Sequence, residues 1–453
     1  MPRRIDGDAA QLSYMIERAL ARGPLSAAQL TEALEVSQPT ISRAIQRLRS
    51  VTPFRVTGER TPQYGLLRHL PMGLEPRQRI YRYLSRGNIE PFADVEFLAG
   101  GGTLERVGGT TRLYLGLPPY VAFAAPSGFL GRQLAQEASS SQQFPSSLSD
   151  WNDDHKVAYL FTQGLNLSGN LVFGDLCLQN EIAFRAVREV PTKEKLEYFV
   201  QMAGVLKNAS YGSSAGGEQP KFLARTADTG QVIVKFAKLG TRMAELLPLE
   251  HLALRTLGEL GVPASRTHLL AAGGYVFLEV ERFDRTPGGG RVGMLSAGSV
   301  DDEFFGQRGS WSEFAARCVQ ARYLKPQDAF WVDTMAAFSE LIGNGDRHFE
   351  NISMLIGEDS EYLGIAPAYD ILPMRYASIG GGLDPDLVPI EPKIGTIGAK
   401  PQVWSVAAKA AERFWTAAQN EEFAAPLSPA MKDLAVKNLA VAMAFVEPLL
   451  PAV

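Results

Sequence analysis

A short segment around residue 346 has residue types and a spacing suited to phosphoryl transfer. It reads Leu341-Ile-Gly-Asn-Gly-Asp-Arg-His-Phe-Glu-Asn-Ile-Ser353, with four residues between Asp346 and Asn351. A carboxylate can orient and deprotonate an attacking hydroxyl, and a neutral oxygen ligand a few residues on can hold a metal ion on the phosphates. The Asp-x-x-x-x-Asn spacing is that of a kinase catalytic loop. Asp370 follows a short apolar run and adds a second carboxylate, so the sequence predicts a magnesium site.

A strand and a helix upstream carry the groups that a triphosphate needs. The strand Gln231-Val-Ile-Val-Lys-Phe-Ala237 contains a single lysine, Lys235, placed like the lysine that binds ATP phosphates in kinases. A helix is predicted to begin at Pro248, with this proline in its first turn, and to end at Leu260. It carries Glu250, which we expect to pair with Lys235 in preference to Glu245.

Two further stretches fit a nucleotide site. The stretch 211–221 is rich in Gly and Ser, and small side chains let backbone N–H groups approach phosphate oxygens. Alone, such a stretch is equally typical of a structural turn. The apolar strand 275–284 ends in a polar turn, where the backbone of Glu281, Arg282 and Phe283 is expected to face the adenine. Their order along the chain, one before the strand of Lys235 and one after the helix of Glu250, favours a nucleotide site.

In that order, the elements resemble the HipA family of bacterial serine/threonine kinases, which are toxins of toxin–antitoxin pairs. The resemblance covers roughly residues 75–453 and implies an α+β, bilobal protein-kinase-like fold. The residues that carry it are Ser-Ala-Gly-Gly-Glu-Gln-Pro-Lys (214–221), Val-Glu-Arg-Phe-Asp-Arg (280–285), Gly-Asp-Arg-His-Phe-Glu-Asn (345–351) and Tyr-Asp (369–370).

The resemblance implies an ATP and Mg²⁺ site with Asp346 as catalytic base and with Asn351 and Asp370 as metal ligands. It implies autophosphorylation at Ser214, with Ser213 left open as the alternative. It also implies a protein substrate, such as an aminoacyl-tRNA synthetase, and growth arrest as the outcome. The nucleotide-binding residues would be Ala215, Gly216, Gly217, Glu218, Gln219, Lys221, Lys235, Glu281, Arg282, Phe283, His348, Asn351 and Asp370. For His348 a role in bracing Asp346 or the loop backbone is favoured, and Arg347 is expected to be a loop scaffold.

The first 70 residues indicate a DNA-binding module. They contain ten Arg and no Lys against six acidic side chains, whereas the whole chain has a net charge of -4. Apolar spacing predicts a helix over 9–22, a second one capped by Ser26, and a third one capped by Ser37 and ending at Leu48. A hairpin over 54–66 follows, and the whole resembles a winged helix-turn-helix. Side chains suited to bases and phosphates lie on the third helix at Gln38, Thr40, Ser42 and Arg43.

Length and composition set the remaining expectations. The 453 residues are divided into a winged helix-turn-helix (1–72), an α+β subdomain (73–190), a nucleotide-binding lobe (191–285) and a helical lobe (286–453). Cys177 and Cys318 lie far apart and form no CxxC, so neither a disulfide framework nor a zinc site is expected. With no long apolar run, we expect a cytoplasmic protein without a membrane partner.

Three alternatives stay open at this stage. The chain could be a nucleotide-sensing transcription regulator whose kinase domain is inactive, or a lipid kinase, because Gly-Asp-Arg-His-x-x-Asn-Ile also resembles the phosphoinositide kinase loop. The first three helices could form a protein-interaction cap instead of binding operator DNA. Because typical HipA proteins leave DNA binding to a separate antitoxin, the fused module leaves open whether this chain has an antitoxin partner.

Overall fold

The computed structural model describes residues 9–140, 144–208, 219–379 and 383–450. The chain divides into two compact units. One comprises Met1–Tyr83, Asn88–Pro126 and Ala135–Ala186, and the other Leu84–Gly87, Ser127–Leu134 and Val187–Val453. Both units combine helices with antiparallel sheets, which confirms the α+β class. No described helix has both the length and the apolar character that a membrane crossing requires. The predicted boundaries at 72, 190 and 285 stay predictions.

The first unit begins with a winged-helix arrangement. Its elements are α1 (Ala9–Leu20), β1 (Leu25–Ser26), α2 (Ala27–Leu34), α3 (Gln38–Ile45), β2 (Val51–Phe54) and β3 (Gln63–Leu66). The three helices bury their predicted apolar faces against one another, with Ile16, Leu20 and Ile41 completely covered. β2 and β3 pair as a hairpin, which begins at Val51, three residues before the predicted start at Phe54. Ser26 caps α2 as predicted, because its hydroxyl accepts the N–H of Gln29.

Two predicted details of α3 are wrong. The helix ends at Ile45, three residues before Leu48, and Gln46 and Arg47 continue the chain as a turn. Ser37 occupies the capping position, yet its side chain makes no capping hydrogen bond. Its Oγ lies 3.0 Å from the Oγ1 of Thr40, so the two hydroxyls bond to each other. Short hydroxyl side chains have such local partners available at a helix start, and sequence does not decide between them.

An antiparallel five-stranded sheet follows in the order β7-β6-β5-β4-β8. The elements that come next in the chain are β4 (Arg77–Tyr83), β5 (Ile89–Phe97), β6 (Thr103–Val107), β7 (Thr110–Tyr114), α4 (Pro119–Ala124), α5 (Gly128–Ser139), α6 (Asp153–Gln163), β8 (Leu171–Phe173) and α7 (Gly174–Arg185). Residues 141–143, shortly after the end of α5, lie outside the described residues.

The wing and this sheet are joined by hydrogen bonds. The N–H of Thr57 donates to the carbonyl of Thr111 on β7 over 2.9 Å, and the N–H of Thr111 donates to the Thr57 hydroxyl over 2.8 Å. Leu98 packs with Phe54 in a small apolar cluster. The winged helix and the sheet are therefore packed into the same unit, as the division of the chain also indicates.

The second unit has a four-stranded antiparallel sheet, in the order β11-β12-β10-β9, and a large helical part. Its elements are α8 (Lys195–Asn208), β9 (Lys221–Thr226), β10 (Gly230–Lys238), α9 (Arg242–Glu259), β11 (Thr267–Ala272), β12 (Tyr275–Glu281), β13 (Gly293–Ser296), α10 (Ala297–Phe304), α11 (Trp311–Gln320), α12 (Pro326–Ile342), β14 (Ser353–Ile356), β15 (Tyr362–Ile365), α13 (Pro401–Asn420) and α14 (Pro429–Val446). The largest apolar cluster lies among α9 and α11 to α14 and includes buried Trp404 and Trp415. α13 and α14 are both rich in alanine.

The predicted start of α9 is wrong. The helix begins at Arg242, where the Thr241 hydroxyl accepts the N–H of Ala244, and Pro248 lies inside it. Proline cannot donate the hydrogen bond that the carbonyl of Ala244 would accept, which usually places proline in a first turn. Pro248 is buried with its neighbours Leu247 and Leu249, so tertiary packing outweighs that preference here.

Candidate active site

Two lysines face the same side of the nucleotide-lobe sheet. β9 and β10 pair antiparallel with Lys221 directly opposite Lys235. Directly opposed residues of an antiparallel pair point to the same face, and two like charges there are unfavourable unless anions lie close by. Lys235 is almost completely buried, whereas Lys221 is half-buried. The strand register thus concentrates positive charge on one face.

Two carboxylates balance this charge. The ammonium of Lys235 lies 2.6 Å from Glu250 Oε1 and also forms an ion pair with Asp370 Oδ1. Glu250 is almost fully buried, while the Asp370 side chain is about a third exposed. The expected preference for Glu250 over Glu245 agrees with this geometry, because Glu245 instead accepts the backbone N–H of Ser428 at 2.7 Å.

Burial and charge act against each other on these three groups. Burial alone would lower the pKa of Lys235, but Asp370 and Glu250 outweigh it and hold that pKa above its usual value. Burial dominates at Glu250 and raises the pKa of its carboxyl. At Asp370, Lys235 and Lys221 outweigh burial and hold the pKa well below its usual range. The anion is therefore favoured most strongly at Asp370, the more exposed of the two acids.

The loop after α12 holds Asp346 and Asn351 together. Gly343 ends the helix with a φ of 77°, a left-handed conformation that glycine adopts without strain. The Asn344 side chain then accepts the N–H of Asp346 at 3.1 Å. Asn351 donates from Nδ2 to the Asp346 carbonyl at 2.9 Å and lies 3.5 Å from its carboxylate Oδ2. These bonds leave the Asn351 amide oxygen as the atom suited to a metal ion.

The two residues after Asp346 secure the loop. Arg347 donates to the carbonyl of Ala336 on α12 at 3.1 Å and forms an ion pair with Glu340. This is the geometry of the scaffold role expected for it. The Nε2 of His348 lies 3.6 Å from Asp346 Oδ1, which is the geometry of the expected bracing role.

The segment that carries Asp370 is bonded to the same loop. The hydroxyl of Tyr369 donates to the carbonyl of Glu350 at 2.8 Å and lies 2.7 Å from the Ser353 hydroxyl. Asp370 itself has a φ of 57°, an uncommon left-handed conformation for a residue with a side chain. His348 is among the groups that lower the pKa of Asp370, as a nearby positive charge would. The Asp346 loop and the Asp370 segment therefore meet on one side of this unit.

The backbone groups expected to bind adenine are partly used within the protein. The N–H of Glu281 donates to the carbonyl of Arg266, and that of Arg282 donates to Gln231. These two N–H groups are thus already bonded within the protein. Adenine would have to be bound by backbone carbonyls of this turn or by the backbone of Phe283. The Phe283 ring lies 5.9 Å from that of Tyr369, next to Asp370.

The proposed phosphate loop lies largely outside the described residues. This applies to Ser213, Ser214 and the stretch from Ala215 to Glu218. Gln219 is described: its amide donates to the carbonyl of Phe236 at 2.8 Å, and its Oε1 is buried without a hydrogen-bond partner in the described part of the chain. Gln219 thereby attaches the end of the loop to β10, the strand of Lys235.

The donor atoms suit a magnesium ion only in combination with a substrate. Among the described residues, no group of three or more His, Cys, Asp or Glu side chains is arranged to hold a metal ion. Asn351 and Asp370 supply one amide and one carboxylate, both oxygen ligands. Mg²⁺ commonly takes one or two protein ligands and completes its shell with phosphate oxygens and water, so this pair fits.

The sequence did not identify the ion pairs that surround the catalytic loop. Arg308 contacts Glu350 at 3.0 Å, although 41 residues separate them in the chain, and the buried Asp301 accepts the backbone N–H of Arg308. No spacing rule connects residues that far apart. The one available signal was composition, because Asp301, Asp302 and Arg308 are charged residues around a short apolar stretch.

The candidate DNA-contacting residues lie on α3. Gln38 and Arg43 are exposed, while Thr40 and Ser42 are half-buried. Arg43 donates from Nε to the carbonyl of Pro39 at 3.1 Å, which directs its guanidinium along the helix toward its amino end. The opposite face of α3 is buried through Ile41 and Ile45. Arg43 therefore lies on the side of the helix away from Ile41 and Ile45, Gln38 is exposed at its first position, and Thr40 and Ser42 border the buried face.

Three family models match successive parts of the chain. Residues 213–439 match a HipA-like C-terminal domain, residues 74–182 the middle domain of a YjjJ-like toxin, and residues 15–51 a bacterial regulatory protein of the arsR family. The chain is also 31% identical over 408 residues to Toxin YjjJ of Escherichia coli strain K12, a match that covers 87% of this chain and 90% of that protein.

Solved structures resemble the fold. A HipA structure from Shewanella oneidensis MR-1, in complex with HipB and operator DNA, superposes with a TM-score of 0.50 and 16% identity, covering 81% of this chain and 97% of that one. The Helicobacter pylori proinflammatory kinase CtkA is more distant, with a TM-score of 0.36, 13% identity, and coverage of 50% and 92%. The likeness to HipA supports the predicted fold.

Proposed function

This chain belongs to the family of HipA-like toxins that includes Toxin YjjJ, and from that premise we propose that it is an ATP-dependent protein serine/threonine kinase. The observation that carries the proposal is the arrangement around Lys235. Its ammonium is held by Glu250 and Asp370, and the segment of Asp370 is bonded to the loop of Asp346 and Asn351. A lysine, three acids and an amide from four parts of the chain would thus lie around one site.

Each group has a role that its surroundings favour. Lys235 stays protonated between two carboxylates, so it would bind phosphate oxygens as a fixed positive charge, with Lys221 beside it. Asp346 is half-exposed, so a hydroxyl of a protein substrate can reach its carboxylate and give up its proton there. His348 would hold the Asp346 carboxylate from one side, and Asn351 would hold it from the other side.

Magnesium would be held by Asn351 and Asp370. When bound, the ion would neutralise charge that develops on the phosphate groups during transfer. Asp370 is suited to this because its low pKa keeps it ionised. Because Asp370 and Lys235 form an ion pair, a bound nucleotide would contact both of them. Its phosphates would bind the ammonium of Lys235, and its metal ion would bind the carboxylate of Asp370.

Transfer from ATP labelled at the γ-phosphate tests the proposal. Purified full-length protein is incubated with Mg²⁺, labelled ATP and a protein lysate, and label is measured in the chain and in lysate proteins. We expect transfer by the wild type, loss of it in Asp346→Ala, and retention in Asp433→Ala, an exposed carboxylate on α14. Binding of ATP by the wild type without any transfer would instead support the rival, a nucleotide-sensing regulator. Transfer to phosphoinositides and not to proteins would support a lipid kinase.

We further propose that the winged helix binds operator DNA through α3. Gln38 and Arg43 are exposed on the helix that this fold places in the major groove, and Thr40 and Ser42 accompany them. The match of residues 15–51 to an arsR-type regulator supports this assignment. Binding of the chain to fragments of its own promoter region, measured at several salt concentrations, tests it.

The relative named as a toxin suggests growth arrest as the outcome of kinase activity. We propose a cellular protein as substrate, with translation components such as an aminoacyl-tRNA synthetase the first to examine, and autophosphorylation at Ser214 as a means of inactivation. Phosphoproteomics after brief induction of wild type and Asp346→Ala would identify sites that depend on the catalytic base. An antitoxin would be detected in the same cells by co-purification with the Asp346→Ala protein.

A further inference from the structure

A line of alternating charges runs from the catalytic loop to α10. The Nδ1 of His348 lies 3.3 Å from Glu350 Oε2, and the other oxygen of Glu350 lies 3.0 Å from Arg308 Nη1. His348 therefore stands between two carboxylates, with Glu350 at Nδ1 and Asp346 at Nε2. The Trp311 indole additionally donates to the His348 carbonyl at 3.0 Å, which fixes its backbone but leaves its ring free to turn.

Arg308 is held firmly enough to orient Glu350. Its guanidinium forms two hydrogen bonds with the carboxylate of Asp302, at 3.1 and 2.6 Å. Its backbone has a φ of 39°, a left-handed conformation, and its N–H donates to the completely buried Asp301 at 2.9 Å. Arg317 donates to the same Asp301 at 2.9 Å. A residue with an unfavourable backbone conformation persists only where its surroundings determine it, as they do here.

Gly298 provides the space for this ion pair. A Cβ atom at position 298 would lie 2.5 Å from Glu350 Oε1 and 2.7 Å from Arg308 Nη1. Both atoms are far ends of side chains, so an added methyl group would push them aside without moving backbone. Gly298 lies within α10, where alanine is the better helix former by about 1 kcal/mol. Glycine at this position is therefore unfavourable for the helix and necessary for the pair.

We propose that Glu350, held by Arg308, is a positioning residue that orients the His348 ring so that its Nε2 faces Asp346. This inference rests on the proposed kinase function. Glu350 lies at Nδ1 and Asp346 at Nε2, on opposite sides of the ring, so a carboxylate that holds Nδ1 keeps Nε2 turned to Asp346. The side chains of His348, Glu350 and Arg308 are each about half exposed. Exposed ion pairs add little stability, so the contribution of Glu350 is to geometry.

The first experiment measures coupling between Glu350 and His348. Phosphate transfer is measured for Glu350→Ala, His348→Ala and the double variant, with Glu422→Ala as an exposed control. We expect Glu350→Ala to lower kcat about 10-fold, as small misplacements at a reacting centre do, with little change of KM for ATP. In the His348→Ala background the same change should have less than about a twofold effect, because residues acting as a unit are not additive. Glu350→Gln, which can still accept from Nδ1, should retain more activity than Glu350→Ala.

A second experiment reads the ring directly, without activity. Because the chain has five histidines, ¹⁵N-labelled histidine gives few resonances, and His348→Ala assigns the pair from His348. We expect Glu350→Ala and Gly298→Ala to shift the ring nitrogens of His348 and to leave the other four histidines unchanged, and Glu350→Ala to leave the melting temperature unchanged. Unshifted resonances, or an equal loss of kcat in both backgrounds, would overturn the inference. A wild-type protein that transfers no phosphate would refute the kinase function itself, which is a distinguishable result.

Discussion

Lys221 and Lys235 lie directly opposite each other across the β9–β10 ladder, and the positive charges of both lower the pKa of Asp370. This register brings two positive charges near two carboxylates. The side chain of Asp370 is about a third exposed, and that of Glu250 is buried. Two lysines can therefore lie side by side on one face of the sheet, because the buried ammonium of Lys235 is paired with Glu250 and Asp370. This arrangement also explains why the pKa of Asp370 falls while that of Glu250 rises.

Glu250→Gln should impair ATP use. Lys235 would keep only Asp370 as a charged partner, so its ammonium should move toward that acid and lose its position for phosphate. We expect kcat/KM for ATP to fall on the order of 10-fold, and stability to fall by about 1–3 kcal/mol because a buried hydrogen bond is weakened. Steady-state kinetics and thermal melts measure both. Glu245→Gln is the matched control, since a glutamine side chain there can still accept the N–H of Ser428. An equal loss of kcat/KM in this variant would show that Glu250 is not the partner on which the position of Lys235 depends.

Asp301 should make stability depend on acid pH. Burial would raise its pKa, but the backbone N–H groups of Arg308 and Gln307 and the guanidinium of Arg317 outweigh burial and lower it. A carboxyl with a lowered pKa contributes stability above its unfolded value of about 3.9 and loses it as pH falls through the folded pKa. The difference in melting temperature between wild type and Asp301→Asn should thus stay constant from about pH 7 to pH 5 and shrink below about pH 4.

A difference that grew on acidification would contradict this sign. Near neutral pH we expect Asp301→Asn to cost about 2 kcal/mol, because Arg317 loses its buried charged partner. Asp302→Asn, an exposed acid one position away, should cost much less.

Gly100→Ala should destabilise the first unit. Gly100 has a φ of 80°, and an added Cβ would lie 2.5 Å from the carbonyl oxygen of Arg22. Backbone cannot yield as a side-chain end can, so we expect a loss of about 2–3 kcal/mol in chemical unfolding. Gly109→Ala is matched in conformation, with a φ of 81°, but meets nothing within 4 Å. It should cost about 1 kcal/mol from the left-handed backbone alone. Equal losses would show that the contact with Arg22 is unimportant.

Substitutions on α3 should separate two kinds of DNA contact. Arg43→Ala is expected to weaken binding to all sequences and to reduce the slope of log affinity against log salt by about 1, as loss of one phosphate contact does. Gln38→Ala should instead change the preference among operator variants, by about 1–3 kcal/mol at one base pair. Titrations by fluorescence anisotropy at several salt concentrations measure both. Arg86→Ala, an exposed arginine of the second unit, should change neither, and a similar loss there would indicate unspecific attraction.

Local patterns predicted the elements whose signals are contained in one stretch. The strand of Lys235 and the apolar faces of α1 and α3 follow from the spacing of their own side chains, and the pairing with Glu250 follows from a strand that leads into a helix. The start of α9 was mispredicted because Pro248 carries a strong preference for a first turn. The preference was overridden by burial against distant residues, which a local pattern does not contain.

The surroundings of the site were beyond local patterns for the same reason. That Lys221 faces Lys235 depends on the register of a hairpin, and a shift by one residue would reverse it. The contacts of Arg308 with Glu350 and of Glu340 with Arg347 depend on how helices pack. Residue types and spacing were enough to identify Asp346, Asn351 and Asp370 as candidates. The charged residues around them have no such pattern, and their contacts are seen only in the three-dimensional structure.

The two hydrogen bonds between Thr57 and Thr111 make the wing a sixth, irregular neighbour of the five-stranded sheet. A torque applied to α3 by a curved duplex would therefore be borne by β7 and the strands behind it, and would not be absorbed by a hinge at the wing.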